Sequence, residues 1–88
     1  MKQVYSFLDY LAKVKHYSGH TVISYKNDLE QFFEFCELPE GHIPDHQKIR
    51  NWIISLMNND LSARTVNRKI SSLKSFYRYL IREGIIEF

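Results

Sequence analysis

The sequence has few of the residues that cross-link or interrupt a small fold. It contains one cysteine, Cys36, in 88 residues, so an internal disulfide is excluded and we expect a protein of the reducing cytoplasm. No apolar run approaches the roughly 20 residues that cross a bilayer, so we expect a soluble protein without a membrane partner. We expect residues 1–88 to form one domain, because two smaller pieces could not each bury a core.

Side chains suited to metal or covalent chemistry are also few. Histidines occur in two pairs spaced by four residues, His16 with His20 and His42 with His46. The Ser18-Gly19 break interrupts the first pair and Pro44 interrupts the second, so neither pair is expected on one helix face. No cysteine or acid pair completes a tetrahedral set, and there is no glycine-rich phosphate loop. We therefore expect no metal site and no cofactor.

Apolar residues recur at spacings of three and four, which predicts helices. The stripes are Val4, Phe7, Leu8, Leu11 and Val14; Val22, Tyr25, Leu29, Phe32, Phe33 and Cys36; Ile49, Trp52, Ile53 and Leu56; and Val66, Ile70, Leu73, Tyr77, Leu80 and Ile81. The first helix is expected to end near His16, and the second to span roughly residues 19–37. Asp45 and Ser62 are predicted N-caps of the third and fourth, and the fourth should end before Gly84. The pattern predicts an all-α, compact four-helix bundle.

Charge is distributed unevenly along the chain. Residues 1–61 hold six Lys/Arg against eight Asp/Glu, whereas residues 62–88 hold six Lys/Arg against two Glu. The net charge is therefore −2 in the first segment and +4 in the second. A basic segment of this kind indicates a polyanionic partner or, alternatively, a solvated helix rich in basic residues.

The fourth helix carries a basic stripe opposite its apolar side. Its members are Arg64, Arg68, Ser71, Ser75, Arg78 and Arg82, with Asn67, Ser72 and Lys74 beside them. Arginines can reach phosphates and guanine edges of duplex DNA, and small hydroxyl residues allow close approach. Like charges four residues apart repel, which favours a neutralising partner over the solvated alternative. The basic stripe predicts that Arg64→Glu with Arg68→Glu abolishes duplex binding and leaves helicity intact.

Two segments resemble one known family. Residues 18–32, SGHTVISYKNDLEQF, are similar to the S-x-x-T-x-x-x-Y-x-x-D-L-x-x-F signature of the SAM-like N-terminal domain of tyrosine recombinases, the phage integrase family. Residues 61–80 resemble the last helix of that core-binding domain. The resemblance implies a helical DNA-binding domain whose second and fourth helices face double-stranded DNA. A C-terminal catalytic domain of the same parent chain would grip the other side of the duplex.

The resemblance also implies which residues touch DNA. They are Thr21, Ser24 and Lys26 on the second helix, and Arg64, Thr65, Arg68, Ser71, Ser72 and Ser75 on the fourth, to which the basic stripe adds Lys74 and Arg78. In this family the tyrosine nucleophile belongs to the C-terminal domain, so we expect this chain to have no catalytic residue. The last residues resemble the approach to an interdomain linker, so we expect the chain to be part of a longer recombinase.

A second interpretation is a helical protein-interaction module that assembles subunits. In the resembled family, recombinases act as tetramers whose N-terminal domains touch neighbouring subunits on DNA, so this function could accompany DNA binding. Sedimentation with and without duplex DNA distinguishes the two interpretations. A free-standing helix-turn-helix regulator is less favoured, because no short recognition helix follows a tight turn.

Overall fold

The computed structural model describes residues 2–87 and builds them from four helices. These are α1 (Lys2–Lys13), α2 (Gly19–Cys36), α3 (His46–Asn58) and α4 (Ala63–Arg82). There is no strand within residues 2–87, and the all-α four-helix prediction is confirmed. No helix in this part of the chain combines the length and apolar character needed to cross a membrane.

Side-chain caps fix where three of the helices begin. The hydroxyls of Ser18 and Ser62 each accept a hydrogen bond of 3.2 Å from a backbone N–H three residues later, at Thr21 and Thr65. Asp45 caps α3 in the same way, at 3.1 Å. Each cap satisfies an N–H that has no partner inside the helix, so the predicted Asp45 and Ser62 caps are confirmed. The Ser-x-x-Thr pattern at the start of α2 and α4 is thus a capping pattern, and in α2 it is also part of the resembled signature.

The first helix ends earlier than the apolar pattern predicts. His16 adopts the left-handed conformation, with φ at +57°, and the Tyr17 N–H donates to the Leu11 carbonyl at 3.0 Å. The chain therefore turns away after Lys13, and Val14 is 63% exposed. The prediction that Val14 belongs to the inner stripe is wrong, because the helix that would direct it inward has already ended.

Aromatic rings from α1, α2 and α4 meet at the centre of the bundle. Helices α2 and α4 contact each other, and α1 and α3 each contact both. Phe7, Phe32 and Phe76 are at most 1% exposed, and the ring centroids of Phe7 and Phe76 lie 5.5 Å apart. Trp52 of α3 packs on Phe32 with centroids 5.0 Å apart. Such edge-to-face contacts add to the stabilisation that burial of the rings provides.

The buried face of α4 differs from the predicted one. Leu73, Phe76 and Leu80 are its buried apolar residues, whereas Ile81, predicted to be inside, is 37% exposed. Phe76 was absent from the predicted stripe although it is fully buried. Lys69 also lies on the buried side of α4, although it is polar. Apolar spacing alone therefore predicts an inner stripe that is rotated toward Ile70 and Tyr77.

Candidate nucleic-acid interface

The side of α4 opposite the core is largely solvent-exposed and basic. Its exposed polar residues are Arg64, Asn67, Arg68, Ser71, Lys74, Arg78 and Arg82, while Thr65 and Ser75 are half-buried. Arg64, Lys74 and Arg78 have no carboxylate partner among residues 2–87. Three cations on this face are therefore available to an external anion.

Arg68 differs from these three cations because it is paired within the molecule. Its Nε and Nη2 donate to the two carboxylate oxygens of Asp28, at 3.2 and 2.8 Å. Asp28 lies on α2 and is 1% exposed, whereas the Arg68 side chain is 51% exposed. Parallel hydrogen bonds of this kind fix the plane of a guanidinium. Arg68 is thus held at the boundary between α2 and α4, with part of its guanidinium facing solvent.

Two further groups complete what we call the Asp28 cluster, which consists of Asp28, Arg68, Lys69 and Ser72. Lys69 Nζ donates to Asp28 Oδ1 at 3.1 Å and the Ser72 hydroxyl donates to Oδ2 at 2.9 Å. Lys69 also donates to the Gln31 side-chain oxygen at 2.5 Å. The carboxylate accepts four hydrogen bonds, two on each oxygen. No buried side-chain N or O atom within residues 2–87 lacks a partner, as buried polar groups require.

The Asp28 cluster involves two residues, Arg68 and Ser72, that were predicted from the sequence to contact DNA. The basic stripe was defined on α4 alone, yet a carboxylate from another helix pairs with Arg68. Ser72, one of the predicted DNA contacts, is 2% exposed and its hydroxyl is engaged by Asp28. Arg68→Glu would place a second carboxylate against buried Asp28, so the Arg64/Arg68 double reversal would disturb the fold as well as the surface.

The predicted residues of α2 divide between two sides of that helix. Thr21 is exposed, and Ser24 is half-buried. Positions 21, 24 and 28 are three and four residues apart, so these two side chains share the edge of α2 that meets α4 at Asp28. Lys26 is exposed two residues before Asp28, about 200° around the helix. Thr21 and Ser24 therefore lie on the side of α2 that carries Asp28, whereas Lys26 lies on a different side.

The last arginine of the basic stripe is held by aromatic rings. Arg82 Nη1 donates to the Tyr10 hydroxyl at 2.6 Å, and its guanidinium carbon lies 4.3 Å from the Tyr10 ring centroid. The Tyr79 ring centroid lies 5.7 Å from the same carbon. Arg82 Nε also lies 3.6 Å from Glu83 Oε2. Arg82 is therefore less available to an external anion than Arg64 or Arg78.

Other reactive side chains within the described residues are isolated or buried. No group of three His, Cys, Asp or Glu residues in residues 2–87 is placed to hold a metal ion. Cys36 is 3% exposed, and burial raises the pKa of its thiol. Its place on the inner stripe of α2 is confirmed, and the thiol packs as a small apolar group.

The fold and this surface together define a small helical domain with one cationic side. The sequence profile of the phage integrase N-terminal SAM-like domain matches residues 4–84, and the chain belongs to that family. The expected family membership is confirmed. No solved structure matches the chain significantly.

The similar curated proteins are tyrosine recombinases. XerC of Oceanobacillus iheyensis is 45% identical over 86 residues, which cover 93% of this chain and 28% of the relative. XerC of Listeria innocua is 44% identical over 85 residues, covering 91% of this chain and 28% of the relative. XerD of Rickettsia conorii is 41% identical over 85 residues, covering 93% and 28%. This chain thus spans about 28% of the length of these relatives.

Sequence reasoning assigned no role to Asp28 or Lys69. One signal was available, because Asp28 is the acid of the family signature and precedes Leu29, a buried residue of α2. An acid at the edge of an inner stripe requires a cationic or hydrogen-bonding partner when it is buried. That partner could not be identified without knowing which helix packs beside α2.

Proposed function

We propose that this chain binds duplex DNA as the N-terminal half of the DNA clamp of a tyrosine site-specific recombinase, with α2 and α4 toward the DNA. Family membership and the names of the similar proteins support a role in recombination. The observation that carries the proposal is that Arg64, Lys74 and Arg78 are exposed on α4 without a carboxylate partner among residues 2–87. Cations in this arrangement can neutralise phosphates and release their counterions.

The position of Arg64 favours a binding role over a purely structural one. It is the second residue of α4, close to the positive end of the helix dipole, where a cation opposes the dipole. Arg68 lies four residues later and adds like-charge repulsion, which its pairing with Asp28 partly relieves. A phosphate next to the α4 N-terminus would interact favourably with both the dipole and Arg64.

A double charge reversal that leaves the Asp28 cluster intact tests the proposal. We expect Arg64→Glu with Arg78→Glu to abolish the mobility shift of a duplex at low salt, on the order of 50 mM. The fold should persist, because a carboxylate at position 64 would interact favourably with the helix dipole, and one at position 78 would lie four residues from both Lys74 and Arg82. Circular dichroism checks that helicity is unchanged.

A matched control separates the proposed surface from overall charge. Lys13→Glu with Arg50→Glu changes the net charge by the same amount at exposed positions on α1 and α3. We expect this variant to retain most of its affinity. Unchanged affinity of Arg64→Glu/Arg78→Glu would refute DNA binding through α4, and an equal loss in both variants would refute the assignment of the surface.

In the complete enzyme a C-terminal catalytic domain would hold the opposite side of the duplex, and the residues that break DNA would lie there. This chain alone should then bind weakly, because it holds one side of the helix. Its affinity should fall with salt by about 0.9 log units per log unit for each phosphate contacted. Action on DNA also agrees with the cytoplasmic location expected from the sequence.

A contact with neighbouring recombinase subunits is a second candidate function, supported by exposed apolar side chains on α3 and just after it. Ile54 is 50% exposed, Met57 is 71% exposed, and Leu61, just beyond the helix, is 41% exposed. Met57→Glu should reduce self-association in sedimentation without changing the affinity of one chain for a short duplex. Self-association that is absent in both proteins, with and without duplex, would exclude this function for the chain.

A further inference from the structure

A cleft lies between the end of α1 and the C-terminal half of α4. Its volume is about 270 Å³, and the polar residues among those that line it are Lys15, Arg78, Arg82, Tyr10, Tyr17, Tyr79 and Ser75. No aspartate or glutamate lines it. The cleft therefore presents two cations without a carboxylate partner among residues 2–87, Lys15 and Arg78, beside Arg82, which Tyr10 and Glu83 already engage.

The turn after α1 places two of these residues over the cleft. His16 has its left-handed φ of +57° between Lys15 and Tyr17. The Lys15 N–H donates to the Tyr10 carbonyl at 3.2 Å, and the Tyr17 N–H donates to the Leu11 carbonyl at 3.0 Å. Because both backbone positions are held by hydrogen bonds to α1, the side chains reach the cleft from a fixed turn.

Contacts with aromatic rings also orient Tyr10 and Arg82, which line the cleft. The Tyr10 hydroxyl accepts from Arg82, which leaves its own hydrogen free to donate outward. The ring of Tyr10 lies 5.3 Å from that of Tyr79. Desolvation and the nearby Glu83 raise the pKa of Tyr79. Glu83 contacts Arg82 but is not part of the lining, whereas Lys15 and Arg78 have no carboxylate partner among residues 2–87.

We infer that this cleft binds a phosphate group of the DNA backbone and so extends the interface from α4 to the turn between α1 and α2. The inference rests on the proposed function, since Ser75 and Arg78 belong to both the cleft and the basic stripe. A phosphodiester is a small anion with several acceptor oxygens and no donor, and the lining supplies cations and hydroxyl donors. Lys15, which neither the basic stripe nor the family signature includes, becomes a DNA-contacting residue.

The end of α1 and the turn after it provide a closely matched pair of lysines, Lys13 and Lys15, for the test. Lys13 has a 74% exposed side chain and pairs with Asp9 at 3.2 Å, and it does not line the cleft. We expect Lys15→Gln to weaken binding of a short duplex about fivefold at low salt, as for one charge pair near 4 Å in water. The slope of log affinity against log salt should fall in magnitude by about 0.9, the value for one phosphate contact. Lys13→Gln should change neither quantity.

A second variant probes the hydroxyl rather than the charge. Tyr10→Phe keeps the ring under Arg82 and removes the hydroxyl that accepts from it. We expect a reduced affinity with an unchanged salt slope, because no cation is removed. Unchanged helicity of Lys15→Gln and Tyr10→Phe shows that the readout is binding and not folding.

The outcomes separate the cleft from the proposed function. If Lys15→Gln binds like the parent chain while Arg64→Glu/Arg78→Glu does not bind, the cleft is refuted and DNA binding through α4 stands. If Lys13→Gln reduces the affinity and the salt slope as much as Lys15→Gln does, the reduction comes from the lower overall charge of the protein, and the cleft is again refuted. If Arg64→Glu/Arg78→Glu also keeps full affinity, the proposed function fails and the cleft inference fails with it.

Discussion

Replacing Asp28 with alanine should be among the most damaging single changes to this fold. The substitution removes the acceptor of four hydrogen bonds and the charge that neutralises Lys69, whose side chain is 7% exposed. Lys69 would remain on the buried face of α4 with only the Gln31 oxygen as a polar partner. A buried ammonium without its counter-charge must be solvated, and opening the helix pair to water has a free-energy cost.

The two cations of the Asp28 cluster contribute unequally to the expected loss. Arg68 is half-exposed and can be solvated when its partner is gone, so its part of the loss is at most about 1 kcal/mol. Breaking the buried pair with Lys69 accounts for most of an expected total of about 3–5 kcal/mol. A chain of 88 residues has a free energy of unfolding of about 4–13 kcal/mol. Asp28→Ala should therefore lower Tm by roughly 12–40 °C.

Urea unfolding gives a direct measurement, because Trp52 is the single tryptophan and is 3% exposed in the core. Its fluorescence and the helical circular dichroism should report the same transition with the same m-value in parent and variant. Asp28→Leu combined with Lys69→Met should be less destabilised than Asp28→Ala, because it replaces both buried charges with apolar groups of similar size. A loss below about 1 kcal/mol for Asp28→Ala would refute the assignment of Lys69 as a buried cation dependent on Asp28.

Three further predictions address the core, a cap and the thiol. Phe76→Ala should cost about 3–5 kcal/mol in urea unfolding, because the ring is fully buried where α1, α2 and α4 meet, whereas Ile81→Ala should cost far less. Ser62→Ala should cost about 1 kcal/mol, since the Thr65 N–H loses its acceptor, and a cost near zero would show that water replaces the cap. Burial raises the pKa of Cys36, so the folded thiol stays protonated at pH values where the unfolded thiol ionises, and the free energy of unfolding should fall as pH rises through and above the ordinary thiol pKa. A Cys36→Ala chain should lose less stability than the parent just above the ordinary thiol pKa, and a thiol reagent should react with folded Cys36 much more slowly than with the urea-unfolded chain.

Features governed by neighbouring residues were predictable from the sequence. The caps Asp45 and Ser62 depend on a side chain and an N–H three residues away, so their spacing is visible in the sequence. The left-handed Gly84, with φ at +73°, lies just beyond α4, as a helix terminator should. The end of α1 was missed because the left-handed residue there is His16, and a non-glycine residue in that conformation carries no clear sequence signal.

Features that depend on contacts between helices were not predictable in the same way. The basic stripe was drawn on α4 alone, and nothing on α4 shows that Asp28, 40 residues before Arg68, lies against it. The cleft beside Lys15 likewise exists only because α1 ends next to the C-terminal half of α4. Helical periodicity identifies which side of a helix faces inward, but charge pairing across helices requires the packing arrangement.

Pairing with Asp28 is compatible with the contact to DNA that the proposed function assigns to Arg68. The Asp28 cluster contains two cations and one carboxylate, so this boundary between α2 and α4 keeps a net positive charge. Asp28 occupies the Nε hydrogen and one hydrogen of Nη2, which leaves three of the five guanidinium N–H donors for an external acceptor. A free surface arginine loses rotamer entropy when it binds a phosphate, whereas an arginine already oriented by a buried carboxylate loses less. Under the proposed function, and at a temperature where circular dichroism shows the variant still folded, Asp28→Asn should therefore weaken DNA binding while leaving the salt slope near its parent value, since the arginine remains charged but loses one of the two hydrogen bonds that orient it. A salt slope that instead steepens by about one phosphate contact would show that Asp28 mainly cancels the charge of Arg68.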